Sequence, residues 1–149
     1  MRLAQEILDA IFKQAAAEYP AECCGIVTGT NERQRRHPLM NIQEKLHADD
    51  PETHPRTSRN AYAVDRNELE RAIADAASKG ESVLAFYHSH IDCDAYFSPM
   101  DKEVQTVFGE PEYPRAVQVV VAVKEKQIYE IKGYLWDGKK QDFVQVEVR

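Results

Sequence analysis

Residues 82–101 read SVLAFYHSHIDCDAYFSPMD, and this stretch decides the fold class that we predict for the chain. Its first part, residues 82–87, is apolar and contains valine and aromatic side chains, which favours a central β-strand. The strand runs directly into His88 and His90. Residues 98–101, SPMD, are typical of a helix start, with serine at the N-cap, proline at the first helical position and an acid two positions later. A strand that leads through a loop into a helix indicates an α/β domain.

The remainder of the chain supplies the other elements of such a domain. Capping residues and apolar residues three and four positions apart predict helices over residues 4–18, from 65 to a stop at Gly80, and from 98 to a stop at Gly109. Asp65 and Glu68 have the spacing of a capping box. Apolar runs predict strands at 23–28, 36–42, 61–64, 116–124, 128–136 and 143–148. We therefore predict a single α/β domain over residues 1–149, with a mixed central sheet of about six strands flanked by about three helices.

The polar segment at 43–60 has little periodicity and contains Pro51 and Pro55. A structureless loop of this length is uncommon in a compact domain and is often functional. Two interpretations remain open from the sequence. The segment covers a site or meets a partner, or it is a disordered surface insertion.

The composition argues against several classes of function. The chain has 25 acidic and 19 basic residues and a formal charge of −6, which does not favour binding to nucleic acids or anionic membranes. No apolar run approaches the roughly 20 residues that span a bilayer. The first residues, MRLAQEILDAIFKQ, lack the apolar centre of a signal peptide, so we expect a cytoplasmic protein. Cys23, Cys24 and Cys93 form neither a disulfide framework nor a C-x-x-C zinc knuckle.

His88 and His90 form the first part of a possible metal site. Residues two apart in a strand point to the same face, with Cα atoms roughly 6.5–7 Å apart, so both imidazoles can converge on one ion. Asp101 is the best candidate for a third ligand, because the loop and helix that follow can return its carboxylate to the end of the strand. Two imidazoles and one carboxylate leave the fourth position of Zn²⁺ open for water, which is the pattern of a catalytic site.

Each part of this pattern also has a purely structural interpretation. His-x-His on a strand, taken alone, favours a hydrogen-bonded pair without a metal, and helix capping alone explains Ser98 and Asp101. The two interpretations are compatible, since a cap also fixes where the acid points. The combination favours a metal site more than either part does.

Two separated motifs resemble those of one enzyme family. The stretch from His88 to Asp101 matches the spacing H-S-H-x7-S-x-x-D, and residues 20–25, PAECCG, match P-x-E-x-C-G. With the order of elements, they make nearly the whole chain similar to the JAMM, or MPN-plus, metalloproteases, a family of zinc-dependent peptidases and isopeptidases. The resemblance implies a JAB/MPN fold, whose architecture is related to that of the cytidine deaminases. A deaminase itself is not expected, because the sequence lacks the H-x-E and P-C-x-x-C motifs of that class.

The resemblance also implies roles for individual residues. His88, His90 and Asp101 would hold Zn²⁺. Glu22 would be the general base that takes a proton from the metal-bound water and returns it to the leaving amine, and Ser98 would donate a hydrogen bond to the developing oxyanion. Without the resemblance, nothing around Glu22 selects it.

The chain departs from the family pattern after the second histidine, where Ile91 stands in place of the common proline. The loop that follows brings Cys93 close to the predicted ion. We consider three roles for this cysteine: a passive small residue, which we rank first, a redox-sensitive neighbour, or a fourth ligand that would block catalysis.

The resemblance implies a zinc metallopeptidase or isopeptidase that hydrolyses an amide bond. Small single-domain prokaryotic members suggest a protein substrate with a flexible C-terminal tail, such as a ubiquitin-like or sulfur-carrier protein. The alternative is a non-catalytic MPN-type scaffold that binds other proteins. Such relatives typically lack the ligand set, whereas this chain retains it.

Overall fold

The computed structural model describes residues 2–149, which form four α-helices and eight β-strands. The helices are α1 (Gln5–Glu18), α2 (Gln43–Asp49), α3 (Arg66–Ser78) and α4 (Pro99–Gln105). The strands are β1 (Cys24–Gly29), β2 (Gln34–Leu39), β3 (Ser82–Ile91), β4 (Thr106–Val107), β5 (Glu110–Pro111), β6 (Val117–Lys124), β7 (Gln127–Asp137) and β8 (Asp142–Val146). No helix among residues 2–149 has the length and apolar character needed to cross a membrane.

Six of the strands form a mixed sheet in the order β2-β1-β3-β6-β7-β8. β3 pairs in parallel with β6, whereas the other neighbouring strands of this sheet are antiparallel. A parallel pair needs a crossover connection, and here it contains α4 and the short β4–β5 hairpin. The predicted α/β class and the mixed six-stranded sheet are confirmed.

The two faces of the sheet are covered by different helices. α1 packs on one face, where Ile11 is fully buried in the same cluster as Val119 of β6. α3 covers the other face through Leu69, which lies in a cluster with Ile26 of β1 and Phe86 of β3. Burying one such side chain contributes about 1.5–3 kcal/mol, so both helices are held mainly by the sheet. His88 and His90 continue the face of Phe86, because alternate strand residues share a side.

The two predicted helix starts, at Ser98 and Asp65, differ in how completely a capping box forms in the structure. At α4, the Ser98 side chain accepts from the Asp101 backbone N–H and the Asp101 carboxylate accepts from the Ser98 N–H, so the box is complete. At α3, Asp65 accepts from the backbone N–H groups at 67 and 68, but the Glu68 side chain accepts from the Met40 N–H instead. Only half of the capping box of α3 is therefore formed, because the Glu68 carboxylate bonds to the backbone directly after β2 instead.

Three local predictions need correction. The segment at 43–60 contains helix α2, which is too short for its apolar spacing to be recognised. Residues 61–64 form no strand, because Asn41 and the Ile42 N–H bond to the backbone of Ala63 and replace a strand partner. The last helix stops at Gln105 rather than continuing to Gly109, since the β4–β5 hairpin begins directly after it.

Candidate metal centre

The end of β3 brings the two histidines into the interior of the protein. β3 continues to Ile91, so His88 and His90 lie within the strand and both are buried. His88 is opposite Cys24 of β1 on one side and Val120 of β6 on the other. Strand pairing fixes the backbone here, and because the two histidines are two residues apart, their side chains leave the same face of β3.

Asp101 completes a compact group with these histidines. The Nε2 atoms of His88 and His90 lie 3.2 Å apart, and each lies 3.2 Å from one oxygen of the Asp101 carboxylate. Bonds of about 2.0–2.1 Å in a tetrahedral site would separate ligand atoms by roughly 3.3–3.4 Å. Among the residues the structure describes, His88, His90 and Asp101 are the group of nitrogen, sulfur and carboxylate donors that could hold a metal ion.

The hydrogen bonds around His90 favour a cation at this position. Its Nδ1 lies 2.9 Å from the Asp94 carbonyl, so we assign the proton to Nδ1, which donates there. In the tautomer with its only proton on Nδ1, the lone pair of Nε2 points towards an Asp101 oxygen at 3.2 Å. Two acceptors at that distance need a proton or a cation between them. The donor set therefore fits a metal ion.

The protonation states of the group also suit metal binding. Burial alone would raise the pKa of the Asp101 carboxyl, but its contacts with His88 and His90 hold that pKa well below its ordinary range. Burial lowers the pKa of His88, which favours the neutral ring. Tyr62 stacks on His88 with ring centroids 4.4 Å apart and contributes to its burial. Metal ligation requires an ionised carboxylate and neutral imidazoles, and the pKa directions of Asp101 and His88 favour these states.

Glu22 lies in the same cavity as His90 and Asp101. Its backbone N–H donates to the Ser58 carbonyl at 2.7 Å, and its carbonyl accepts from the Asn41 side chain at 2.9 Å, so the residue is fixed just before β1. Only 5% of it is exposed, and no hydrogen bond from another residue of 2–149 reaches its carboxylate. Burial, together with the negative charge of Asp101, raises the pKa of Glu22 to about 9. Glu22 is therefore a buried carboxyl that readily holds a proton.

Ser98 reaches this cavity from the start of α4. Its hydroxyl oxygen accepts from the Asp101 N–H at 3.0 Å. An oxygen that accepts this bond keeps its own O–H free to donate. The helix cap therefore fixes the position of the Ser98 hydroxyl. Its O–H remains available as a hydrogen-bond donor in the cavity that His90 and Asp101 also line.

The loop after β3 does not bring a fourth ligand into the group. Cys93 lines the cavity, but within residues 2–149 the cluster of ligand atoms contains only the two histidines and Asp101. Burial raises the pKa of the Cys93 thiol, which disfavours the thiolate. Ile91, which replaces the common proline, is buried and pairs with Val123 of β6.

One side of the cavity consists of residues that the sequence analysis did not identify. The cavity has a volume of about 470 Å³, and Arg56, Arg59 and Asn60 line it together with Glu22. These residues come from the segment at 43–60, for which the sequence left a covering role open. The individual arginines carry no sequence signal, because isolated basic residues in a polar stretch are ordinary surface residues.

Comparison with known proteins finds several that are similar to this chain. The model of a family described as prokaryotic homologues of the JAB domain matches residues 4–132. The desampylase of Haloferax volcanii is 30% identical over 110 residues, which are 69% of this chain and 70% of that protein. The CysO-cysteine peptidase of Mycobacterium tuberculosis is 28% identical over 134 residues, or 87% of this chain and 77% of the peptidase. These relatives are similar over most of their length.

A third relative is similar over a smaller part. The tail tip assembly protein K of Escherichia phage N15 is 35% identical over 98 residues, which are 66% of this chain but only 33% of the phage protein. Solved structures show the same fold. A protein from Desulfitobacterium hafniense superposes with a TM-score of 0.68 at 18% identity over 99% of this chain and 90% of its own. A JAB1/MPN domain protein from Archaeoglobus fulgidus gives 0.53 at 16% identity over 99% of this chain and 98% of its own.

Proposed function

The chain belongs to the family of prokaryotic JAB-domain homologues, and on this basis we propose that it is a zinc-dependent metallopeptidase that hydrolyses an amide bond. The bond lies at the C-terminal tail of a ubiquitin-like or sulfur-carrier protein. The observation that carries the proposal is the buried group of His88, His90 and Asp101 with Glu22 in the same cavity. The peptidase and desampylase names of two relatives support a hydrolytic activity.

His88, His90 and Asp101 would hold the ion. Their donor atoms are two nitrogens and one oxygen, a set that suits Zn²⁺ and leaves a position open. A bound Zn²⁺ supplies Lewis-acid chemistry, since it polarises a carbonyl and lowers the pKa of water towards about 7. The Asp94 carbonyl orients His90, and Tyr62 packs against His88, so the ligand set is held in place by its surroundings.

Glu22 is the residue that moves the proton in this proposal. Its carboxylate takes a proton from the attacking water and returns it to the amine that leaves. The two transfers need a carboxyl whose pKa lies closer to neutrality than that of an exposed acid, and the burial of Glu22 has this effect. Binding of a divalent cation next to Glu22 would lower its pKa again, which makes the ionised base available.

Ser98 stabilises negative charge in this proposal. The hydroxyl is fixed as the N-cap of α4, so it donates without a cost of reorientation when charge develops on the carbonyl oxygen. Loss of such a donor typically reduces kcat by roughly 100- to 1000-fold. We expect Ser98→Ala to lower kcat by that factor, with a small loss of stability from the missing cap.

The proposal is tested with a carrier-protein conjugate, with and without a chelator, and with intact mass as the readout. We expect cleavage by the zinc-loaded protein and none after the metal is removed. Glu22→Gln should retain about one equivalent of zinc and lose activity. Glu103→Gln is the matched control, because Glu103 lines the same cavity but is exposed.

Two results would contradict the proposal. Equal turnover in Glu22→Gln and the unchanged protein would remove Glu22 from the mechanism. A protein purified without added zinc that contains no metal, and binds none when zinc is supplied, would support the scaffold alternative instead.

A further inference from the structure

The segment at 50–60, which we call the wall segment, is attached directly to the proposed base. The Ser58 carbonyl accepts from the Glu22 N–H at 2.7 Å, and the Ser58 N–H and hydroxyl both donate to Glu44 of α2. The Arg56 carbonyl accepts from the side chain of Gln43, which is buried at the start of α2. The wall segment is therefore held by α2 on one side and by Glu22 on the other.

The two arginines of the wall segment differ in their partners. Arg59 forms an ion pair with Asp92, with Nη2 3.0 Å from a carboxylate oxygen. Arg56 forms no ion pair within residues 2–149, and its guanidinium donates one hydrogen bond there, to the Asn60 carbonyl at 3.4 Å. Both arginines line the cavity, but only Arg56 brings a charge that no acidic side chain neutralises.

The charge of Arg56 acts inside the cavity. Burial raises the pKa of both Glu22 and Tyr96, and the positive charge of Arg56 opposes that shift in each case. Arg56, Glu22 and Tyr96 all line this cavity, so the charge of the guanidinium acts on the space that they share. A guanidinium offers two parallel donors, the geometry that matches a carboxylate.

The position of Arg56 relative to Glu22 indicates which part of the substrate it meets. In the proposed reaction Glu22 returns the proton to the leaving amine, so that amine must lie next to Glu22. The wall segment is hydrogen-bonded to the backbone of Glu22, and Arg56 and Glu22 line the same cavity, so Arg56 belongs to the part of the cavity wall that is attached to Glu22. When the leaving group is an amino acid joined through its α-amine, its carboxylate is only two bonds from the departing nitrogen. A lysine side chain that leaves through its ε-amine places no carboxylate there.

We propose that Arg56 binds the free α-carboxylate of the residue on the leaving side, so that the preferred substrate is a carrier-protein tail extended by a single amino acid rather than one joined to a lysine side chain. This inference rests on the proposed function and narrows its substrate class. Arg56 is a specificity-determining residue in this account, and Arg59 serves to attach the wall segment to Asp92.

The experiment compares two substrates built on the same carrier-protein tail. One releases alanine with a free carboxylate, and the other releases alaninamide. We expect the zinc-loaded protein to prefer the first by about 10- to 100-fold in kcat/KM, the usual effect of one charge-assisted hydrogen-bonded pair. Arg56→Gln should reduce this ratio to near unity, mainly by raising KM for the substrate with the free carboxylate.

Arg59→Gln is the matched control, because it removes a guanidinium from the same segment whose charge is already neutralised. It should retain the preference. For each variant the measured quantity is the ratio of kcat/KM for the two substrates. The difference in intrinsic reactivity between the two amides cancels when these ratios are compared between variants. A merely structural role for Arg56 would lower both rates together and leave the ratio unchanged.

The outcomes separate this inference from the proposed function. Cleavage of both substrates at equal rates, or a ratio unchanged in Arg56→Gln, would overturn the inference and leave the hydrolase intact. If neither substrate is cleaved, the proposed function fails. Calorimetric titration of Glu22→Gln with both compounds then decides the inference alone: equal binding of carboxylate and carboxamide overturns it, and tighter binding of the carboxylate supports it.

Discussion

Glu22 shows how one residue combines burial with a chemical task. Its carboxyl is almost completely enclosed, next to the negatively charged Asp101, and its pKa rises to about 9 in the absence of a cation. An acid of this kind destabilises the folded state whenever it is ionised, because burial and the charge of Asp101 penalise the carboxylate more than the charge of Arg56 favours it. The same property keeps a proton close to the place where an amide would be cleaved.

We expect Glu22 to make the stability of the chelated protein depend on pH. Between about pH 4.5 and pH 9 the folded state holds a proton that the unfolded state has released, so the free energy of unfolding falls as the pH rises. Glu22→Gln lacks this dependence. Its stability relative to the unchanged protein should grow by up to about 1.4 kcal/mol per pH unit over that range. Urea unfolding at pH 5, 6, 7 and 8 measures the difference.

Glu103→Gln supplies the control for this series, because it removes no buried charge. Its stability difference should stay constant across the same pH values. A gap between Glu22→Gln and the unchanged protein that does not vary with pH would show that Glu22 is ionised throughout.

At the level of elements, β1 and β3 approach each other closely at one point. Gly25 of β1 is paired with Tyr87 of β3, and a Cβ atom on Gly25 would overlap the Tyr87 hydroxyl. That hydroxyl is fixed by the Gln14 side chain, to which it donates at 2.5 Å. Because Gly25 has no Cβ atom, the Tyr87 side chain can cross over β1, which is the strand that follows Glu22.

We expect Gly25→Ala to destabilise the fold. Overpacking at a rigid, fully buried position costs about 1–3 kcal/mol, and here the overlapping group belongs to a side chain that is only 1% exposed. Gly138→Ala is the matched control, because a Cβ atom there has no neighbour within 4 Å. Thermal unfolding of the two variants should show a clear loss for the first and little change for the second. Equal melting temperatures would mean that Tyr87 moves aside freely.

The β4–β5 turn is a second element with an unusual residue. Phe108 has φ 52° and the following Gly109 has φ 81°, and the Phe108 side chain is fully exposed. The left-handed region costs most residues about 1–2 kcal/mol, whereas asparagine tolerates it. An Asn-Gly pair is the common sequence for such a turn.

We therefore expect Phe108→Asn to raise the free energy of unfolding by about 0.5–1 kcal/mol. Phe108→Ala separates backbone strain from loss of the exposed aromatic surface, because alanine keeps the strain and should give no such gain. Chemical unfolding of both variants measures the effect. A gain of the same size in Phe108→Ala would assign it to the surface rather than to the backbone.

At the scale of the whole molecule, the candidate metal site connects the sheet to the crossover. His88 and His90 belong to β3 and Asp101 to α4, so an ion would join the centre of the sheet to the connection that follows it. A ligand that binds only the folded state stabilises it by mass action, by about 2.7 kcal/mol at a concentration one hundred times its Kd.

We expect zinc to raise the melting temperature of the chelated protein, and Asp101→Asn to abolish most of this increase. The increase should become smaller as the pH falls, because protons compete with the metal for the ligand atoms. Cys93→Ser tests the remaining role of that thiol and should leave the zinc-dependent increase unchanged. A loss of the increase in Cys93→Ser would make the cysteine a ligand after all.

The sequence predicted those features whose signals are local. The H-x-H pair, the SPMD helix start and the apolar strands each depend on neighbouring residues, and the structure has the expected elements there. The helix α2 and the pairing of residues 61–64 could not be predicted, because long-range hydrogen bonds from Asn41 and Ser58 decide them. For the same reason the sequence does not select Arg56, since only the fold places it in the cavity that Glu22 also lines.

The Asp101 carboxylate closes the helix start of α4 and also faces the two histidines, so the ion and the first turn of the helix share one group. Their stabilities must therefore change together. An occupied site should slow amide hydrogen exchange in the first turn of α4, and a weaker cap at Ser98 should make the ion dissociate faster. Amide hydrogen exchange in α4 would then show whether the metal site is occupied, without any substrate.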